Sequence, residues 1–110
     1  MIESTTIEIM PAPPVRLRAD AQPLLAVAAD PVRWRLLATL ADGGTHCVCE
    51  LQPIAGVAGN VLSYHLKVLR DAGLVTSARR GRWIDYTLAD DARDRLAAAL
   101  PTGPGGEAEA

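Results

Sequence analysis

Between residues 58 and 88 the spacing of apolar side chains changes once, from a helical repeat to a strand repeat. That change limits the fold more than any other feature of the chain. Leu62, Leu66 and Leu69 recur at the spacing of one helix face. The run stops at Asp71-Ala72-Gly73, where glycine can take the left-handed conformation that closes a helix. Beyond it, Ile84, Tyr86 and Leu88 alternate with Trp83, Asp85 and Thr87, the period of a strand with one buried face. The pattern predicts a helix over 58–72, a strand over 74–78, a turn at Arg79-Arg80-Gly81 and a second strand over 82–88.

Upstream the signals are helical. Ala19 to Ala28, with Leu24, Leu25 and Val27, reads as a short helix. Asp30-Pro31 starts the next, since Asp accepts hydrogen bonds from the first free amides and Pro fits the first helical position. Val32, Leu36, Leu37 and Leu40 follow at helical spacing, and Asp42-Gly43-Gly44 ends the element. A third short helix is expected within Cys47 to Ala55, closed by Gly56, and Asp90 or Asp91 can cap a last helix ending near Leu100. The expected order is ααααββα, a mainly α fold with a β-hairpin wing, which is the order of a winged helix-turn-helix. A chain of 110 residues holds one domain with a modest core, so pairing with a second copy would stabilise it. That domain is expected over 18–100. Residues 1–17, with Pro-Ala-Pro-Pro, read as a flexible segment, and residues 101–110, rich in Pro, Gly and acids, as a disordered tail.

A formal net charge of −2 does not advertise a nucleic-acid partner, but its distribution does. From residue 67 to 82 the basic residues Lys67, Arg70, Arg79, Arg80 and Arg82 face a single acid, Asp71. The compensating acids lie near the start, after Trp83 and in the tail. A local basic block in an acidic chain suits phosphates. In a helix-turn-helix the second helix enters the major groove while the first braces it. The helices joined through Gly56-Val57-Ala58 fit that role, with Gly59, Asn60, Ser63, Tyr64 and Lys67 outward and the hairpin tip reaching the neighbouring backbone. His65, in the same helix, supports either DNA contact or packing.

The run Leu62-Ser63-Tyr64-His65-Leu66-Lys67-Val68-Leu69-Arg70-Asp71-Ala72-Gly73-Leu74-Val75 resembles the recognition helix and first wing strand of the ArsR/SmtB metalloregulators. Asp30-Pro31-x-Arg33 and Arg79-x-Gly81-Arg82-x-x-x-Tyr86-x-Leu88 extend the resemblance over roughly residues 20–96. It implies a homodimeric repressor, paired through its first and last helices, on an inverted repeat in double-stranded DNA with half-sites about one helical turn apart. Ala58 and Gly59 depart from the pattern, standing where many members carry a capping Ser or Thr and a polar residue. Gly59 weakens the start of the groove helix.

Cys47-Val48-Cys49-Glu50-Leu51 resembles the signature of the family's arsenite- and antimonite-responsive branch. Thiolates suit soft, thiophilic ions. Residues two apart on a regular helix lie about 200° apart around the axis, so the two sulfurs can share an ion only where the backbone leaves helical geometry. Pro53 has no amide proton for the Cys49 carbonyl, which places the pair outside the third helix or at its frayed start. The third cysteine common in that branch is replaced by Gln52 or Pro53. His46 adjoins the pair and is either a further ligand, which would suit zinc, nickel or cadmium, or a loop residue. The family's other metal site, on the last helix, needs histidines, and residues 90–100 have none. The cysteines are otherwise a redox switch, or small buried apolar residues.

No stretch is apolar enough to span a membrane, and the first residues lack the basic and apolar pattern of a signal peptide. Both point to the cytoplasm, where the two cysteines would stay reduced. A thiol enzyme is disfavoured, because the chain has no Cys-x-x-Cys, no cradle for an oxyanion and no convincing general base.

Overall fold

The computed structural model describes residues 21–101. The segment expected to be flexible at 1–17 and the tail from residue 102 onward lie outside the described residues. The described elements are α1 (Ala21–Ala29), α2 (Pro31–Leu40), β1 (His46–Cys47), α3 (Val48–Ala55), α4 (Gly59–Asp71), β2 (Val75–Arg80), β3 (Trp83–Leu88) and α5 (Ala92–Ala99). The helices and the hairpin stand in the expected order.

Helix α2 starts where its capping signal stands. Asp30 is extended, with φ −61° and ψ 134°. Its Oδ2 accepts the amides of Val32 at 2.9 Å and Arg33 at 3.1 Å. The Arg33 amide, above all, holds the Asp30 carboxyl below the usual carboxylate range. Helix α4 has no such start, because the side chain of Ala58 offers no acceptor. Only the Ala58 carbonyl takes the amides of Val61 and Leu62, at 3.0 and 2.9 Å. What holds α4 is its inner face, where Leu62, His65, Leu66 and Leu69 are buried. That face packs into a core with Leu36, Leu37 and Leu40 of α2, Leu51 of α3, and Leu74, Val75 and Tyr86 of the wing. Each buried leucine contributes about 1.5–3 kcal/mol.

The sheet is antiparallel in the order β1-β3-β2. It departs from the sequence reading twice. Arg79 and Arg80 lie in β2, not in the turn, because Arg80 pairs with Trp83 and leaves a loop of Gly81 and Arg82. Gly81, at φ 63°, supplies the positive φ that a two-residue hairpin loop needs. The second departure is β1, where His46 pairs with Tyr86 and Cys47 with Asp85. At α5, Asp91 occupies the cap position but makes no side-chain capping bond.

Replacing Asp30 by Ala should lower stability by about 1 kcal/mol, read as a drop in melting temperature. The depressed carboxyl of Asp30 contributes stability above the unfolded value of about 3.9 and loses it as pH falls through the folded one. The melting temperature of the variant should therefore fall less steeply with acid than that of the parent.

Candidate nucleic-acid interface and thiol pair

The turn from α3 to α4 is fixed by side chains on either side of it. Arg35 of α2 donates from Nη2 to the Ala55 carbonyl at 3.0 Å, holding the last turn of α3. Gly56 closes that helix at φ 67°. Gln52 reaches over the turn and donates from Nε2 to the Val57 carbonyl. Sequence reasoning missed Arg35 and Gln52, since their partners are backbone carbonyls that only the fold brings near. The turn sets α4 with Asn60, Ser63, Tyr64, Lys67 and Arg70 exposed, and Tyr64 retains 60% of its accessible surface. Val61 is also exposed there, an apolar side chain absent from the expected set.

His65, expected to support either DNA contact or packing, does not stand with the exposed residues of α4. It is buried, at 9% exposure, and its Nδ1 lies 3.0 Å from Nη1 of Arg33. It sits on the leucine side of α4, packed inside the domain and in polar contact with Arg33.

The cations divide by partner. Lys67 donates to Asp71 at 2.7 Å one turn along α4. Arg80 makes two bonds to Asp85, at 2.8 and 3.1 Å, across the hairpin. Asp85 is 15% exposed, and the Arg80 guanidinium holds its carboxyl below the usual carboxylate range while its own pKa rises. Arg70, Arg79 and Arg82 form no ion pair among the described residues, and Arg79 reaches only the Gly81 carbonyl at 3.5 Å. Of the five basic residues over 67–82, these three are free of a carboxylate among the described residues, whereas Lys67 and Arg80 are each paired with one.

Cys47 is the N-cap of α3, extended at φ −78° and ψ 160°, and Cys49 is the second residue of the helix. The extended cap turns both sulfurs to one side, which helical geometry over the two residues would forbid. They are joined as a Cys47–Cys49 disulfide, with Cα atoms 5.2 Å apart, in place of the two free thiols expected from the sequence. Cys47 stands just before the helix and Cys49 within it; α3 continues through Pro53, so the departure from helix falls at Cys47 and is not caused by Pro53. Cys47 is buried and Cys49 exposed.

His46 is flanked by carboxylates. Its Nε2 is 3.0 Å from Asp42 Oδ2 and its Nδ1 is 3.4 Å from Glu50 Oε1. Glu50 Oε1 also accepts the Cys47 amide at 3.1 Å. The Gly44 amide first, and then His46, hold the Asp42 carboxyl below its usual range. Among the described residues no group of three or more His, Cys, Asp or Glu side chains is arranged to hold a metal ion. No described helix is long and apolar enough to cross a membrane.

Comparison with known proteins places this geometry. Residues 30–77 match the family model described as bacterial regulatory protein, arsR family. The arsenical resistance operon repressor of Bacillus subtilis is 43% identical over 63 residues, which cover 57% of this chain and 60% of that protein. The chain thus spans less than two thirds of that relative. The biofilm growth-associated repressor of Agrobacterium fabrum is 39% identical over 92 residues, covering 83% of this chain and 78% of that protein. The crystal structure of a possible transcriptional regulator for arsenical resistance superposes with a TM-score of 0.64 at 37% identity, covering 68% of this chain and 77% of that one. These relatives are regulators and not enzymes. With its winged-helix order and its length of match to the Agrobacterium repressor, the chain belongs to the ArsR family of bacterial regulatory proteins.

Proposed function

We propose that the chain is a DNA-binding transcriptional repressor, acting as a homodimer on an inverted repeat and released when a thiophilic ion binds Cys47 and Cys49. The observation that carries the first half is α4, which buries its leucine face and leaves Asn60, Ser63, Tyr64 and Arg70 exposed behind a fixed turn. Arg79 and Arg82 on the wing supply further cations for phosphate, and Arg80 joins them when it leaves Asp85. The repressor names of the relatives support the same reading. The cytoplasm, where double-stranded DNA and reduced thiols meet, is the compartment this function requires.

The second half rests on donor chemistry. Once reduced, Cys47 and Cys49 present two sulfurs on one side of the helix start, which suits arsenite or antimonite. Two thiols displace two hydroxides of the trivalent oxyacid as water, and the third position keeps hydroxide or an external thiol. His46 is the nearest nitrogen donor in sequence, and ligation through it, as zinc, nickel or cadmium would favour, requires it to leave Asp42 or Glu50. The bond between the sulfurs favours a second reading, in which thiol oxidation is the signal. In either case Cys47 is placed to act on two elements at once. It caps α3, and it pairs with Asp85 of β3, whose carboxylate holds Arg80.

A duplex enriched from a random-sequence library by the parent protein provides the test, with binding read by fluorescence anisotropy. Arg70→Ala and Arg82→Ala should each weaken binding to all sequences and lower the slope of log affinity against log salt by about one. Unchanged slopes would remove these residues from the interface. Under reductant, arsenite should release the parent, while Cys47→Ser and Cys49→Ser should remain bound. Release by cadmium, zinc or nickel alone would reassign the ion, and release by peroxide alone would make the pair a redox switch. Release of both variants by arsenite would move the sensor elsewhere.

A further inference from the structure

Two parts of the chain far apart in sequence meet in the fold: the Asp30-Pro31-x-Arg33 start of α2 and the buried face of α4. Arg33 donates from Nε to the Val27 carbonyl at 2.7 Å, in the last turn of α1. Its Nη1 lies 3.0 Å from His65 Nδ1. A guanidinium has donors only, so Nδ1 is the acceptor and the imidazole is neutral, with its proton on Nε2. Asp30 Oδ2 is 3.9 Å from the same nitrogen while it accepts the first two free amides of α2. The ring of Tyr64 stands near edge-on, with centroids 5.3 Å apart. Among the described residues these are the charged and titratable groups set against the imidazole, from α2, its cap and α4 itself.

We propose that His65 is the positioning residue of α4: its neutral Nδ1, held by Arg33, fixes the rotation of α4 against α1 and α2. This inference rests on the reading of α4 as the helix that enters DNA. The packing of Leu62, Leu66 and Leu69 resists separation but is non-directional, so it tolerates rotation about the helix axis. The bond to Arg33 is directional, and it sets the angle at which Asn60, Ser63 and Tyr64 face outward. Protonation of Nδ1 turns the acceptor into a donor that faces a guanidinium. Asp30 Oδ2, 3.9 Å away, is then an acceptor close to the ring, and it already serves the α2 cap. A ring that turns to Asp30 draws Oδ2 from that cap and leaves Arg33 bonded to Val27 alone. Protonation of the ring would therefore loosen both ends of the tie together and lower DNA affinity.

The test uses the duplex enriched by the parent protein, with anisotropy read from about pH 8 to about pH 5.5, the range in which imidazoles titrate. Salt is held fixed and thermal melts are run beside each titration. Protonation of His65 should cost the parent about tenfold in affinity, the worth of one hydrogen bond to a charged group. His65→Asn keeps an acceptor that does not titrate; it should bind within about threefold of the parent at pH 8 and lose the acid dependence. His65→Leu and Arg33→Met should each bind about tenfold more weakly at pH 8, and the double variant no more weakly than either. If His65→Leu melts below the assay temperature, the pH comparison between the parent and His65→Asn decides alone. A parent that binds while His65→Leu binds equally well, or an acid loss that persists in His65→Asn, overturns the positioning role and leaves the DNA-binding reading standing. A parent that enriches no duplex overturns both.

Discussion

The guanidinium of Arg33 ties the last turn of α1 to the middle of α4, and the placement of the exposed helix face depends on it. Most of the core is leucine and alanine, side chains that give burial without direction. Helix α4 begins on Ala58 and Gly59 without a side-chain cap, so its own sequence does little to fix where or at what angle it starts. Polar bonds from neighbouring elements supply that precision. Arg33 holds the middle of α4, Arg35 the end of α3 and Gln52 the turn between them. Such bonds have net worths of about 1–3 kcal/mol each, small beside the burial of several leucines. Their importance lies in geometry: among the described residues, the Arg33–His65 bond is the one side-chain hydrogen bond from α4 to another helix.

A similar economy governs the wing. The two-residue strand β1 brings the start of α3 against β3, so Cys47 sits opposite Asp85 while Asp85 holds Arg80. The Asp85 carboxylate, far more than Glu50, raises the pKa of Arg80. The helix start that carries the two cysteines touches the strand that carries a basic hairpin, and it begins the helix that leads into α4.

How much of this was legible in the sequence follows from where the information resides. The helices and the hairpin strands were readable because local signals agree with tertiary packing: the Asp30-Pro31 cap, the leucine spacing of α4, and the alternation of Ile84, Tyr86 and Leu88. Strand β1 was not, since two residues carry no period and form a strand only through β3. The hairpin tip was misplaced by two residues because Arg79 and Arg80 look like turn residues until the pairing of Arg80 with Trp83 is known. The same register hides the Arg80–Asp85 pair, so a charge count overstates the cations available at the wing. For His65 the helical period alone left two roles open, and the partner 32 residues away, which places the ring inside the domain, could not be read from local sequence. The cysteine pair was expected outside the third helix or at its frayed start because of Pro53, but the helix runs on through Pro53 with Cys49 inside it, and the extended cap at Cys47 sets the geometry of the pair.

The state of the His65 ring is directly measurable, and it bears on the central claim without any assumption about DNA. Two-bond proton–nitrogen correlation spectra of the nitrogen-15 protein near neutral pH should show a neutral imidazole with its proton on Nε2. Its Nδ1 should carry the shift of a hydrogen-bonded acceptor, and that shift should revert towards the free value in Arg33→Met. A ring protonated on Nδ1, either as the other tautomer or as the imidazolium, would contradict the tie between Arg33 and α4.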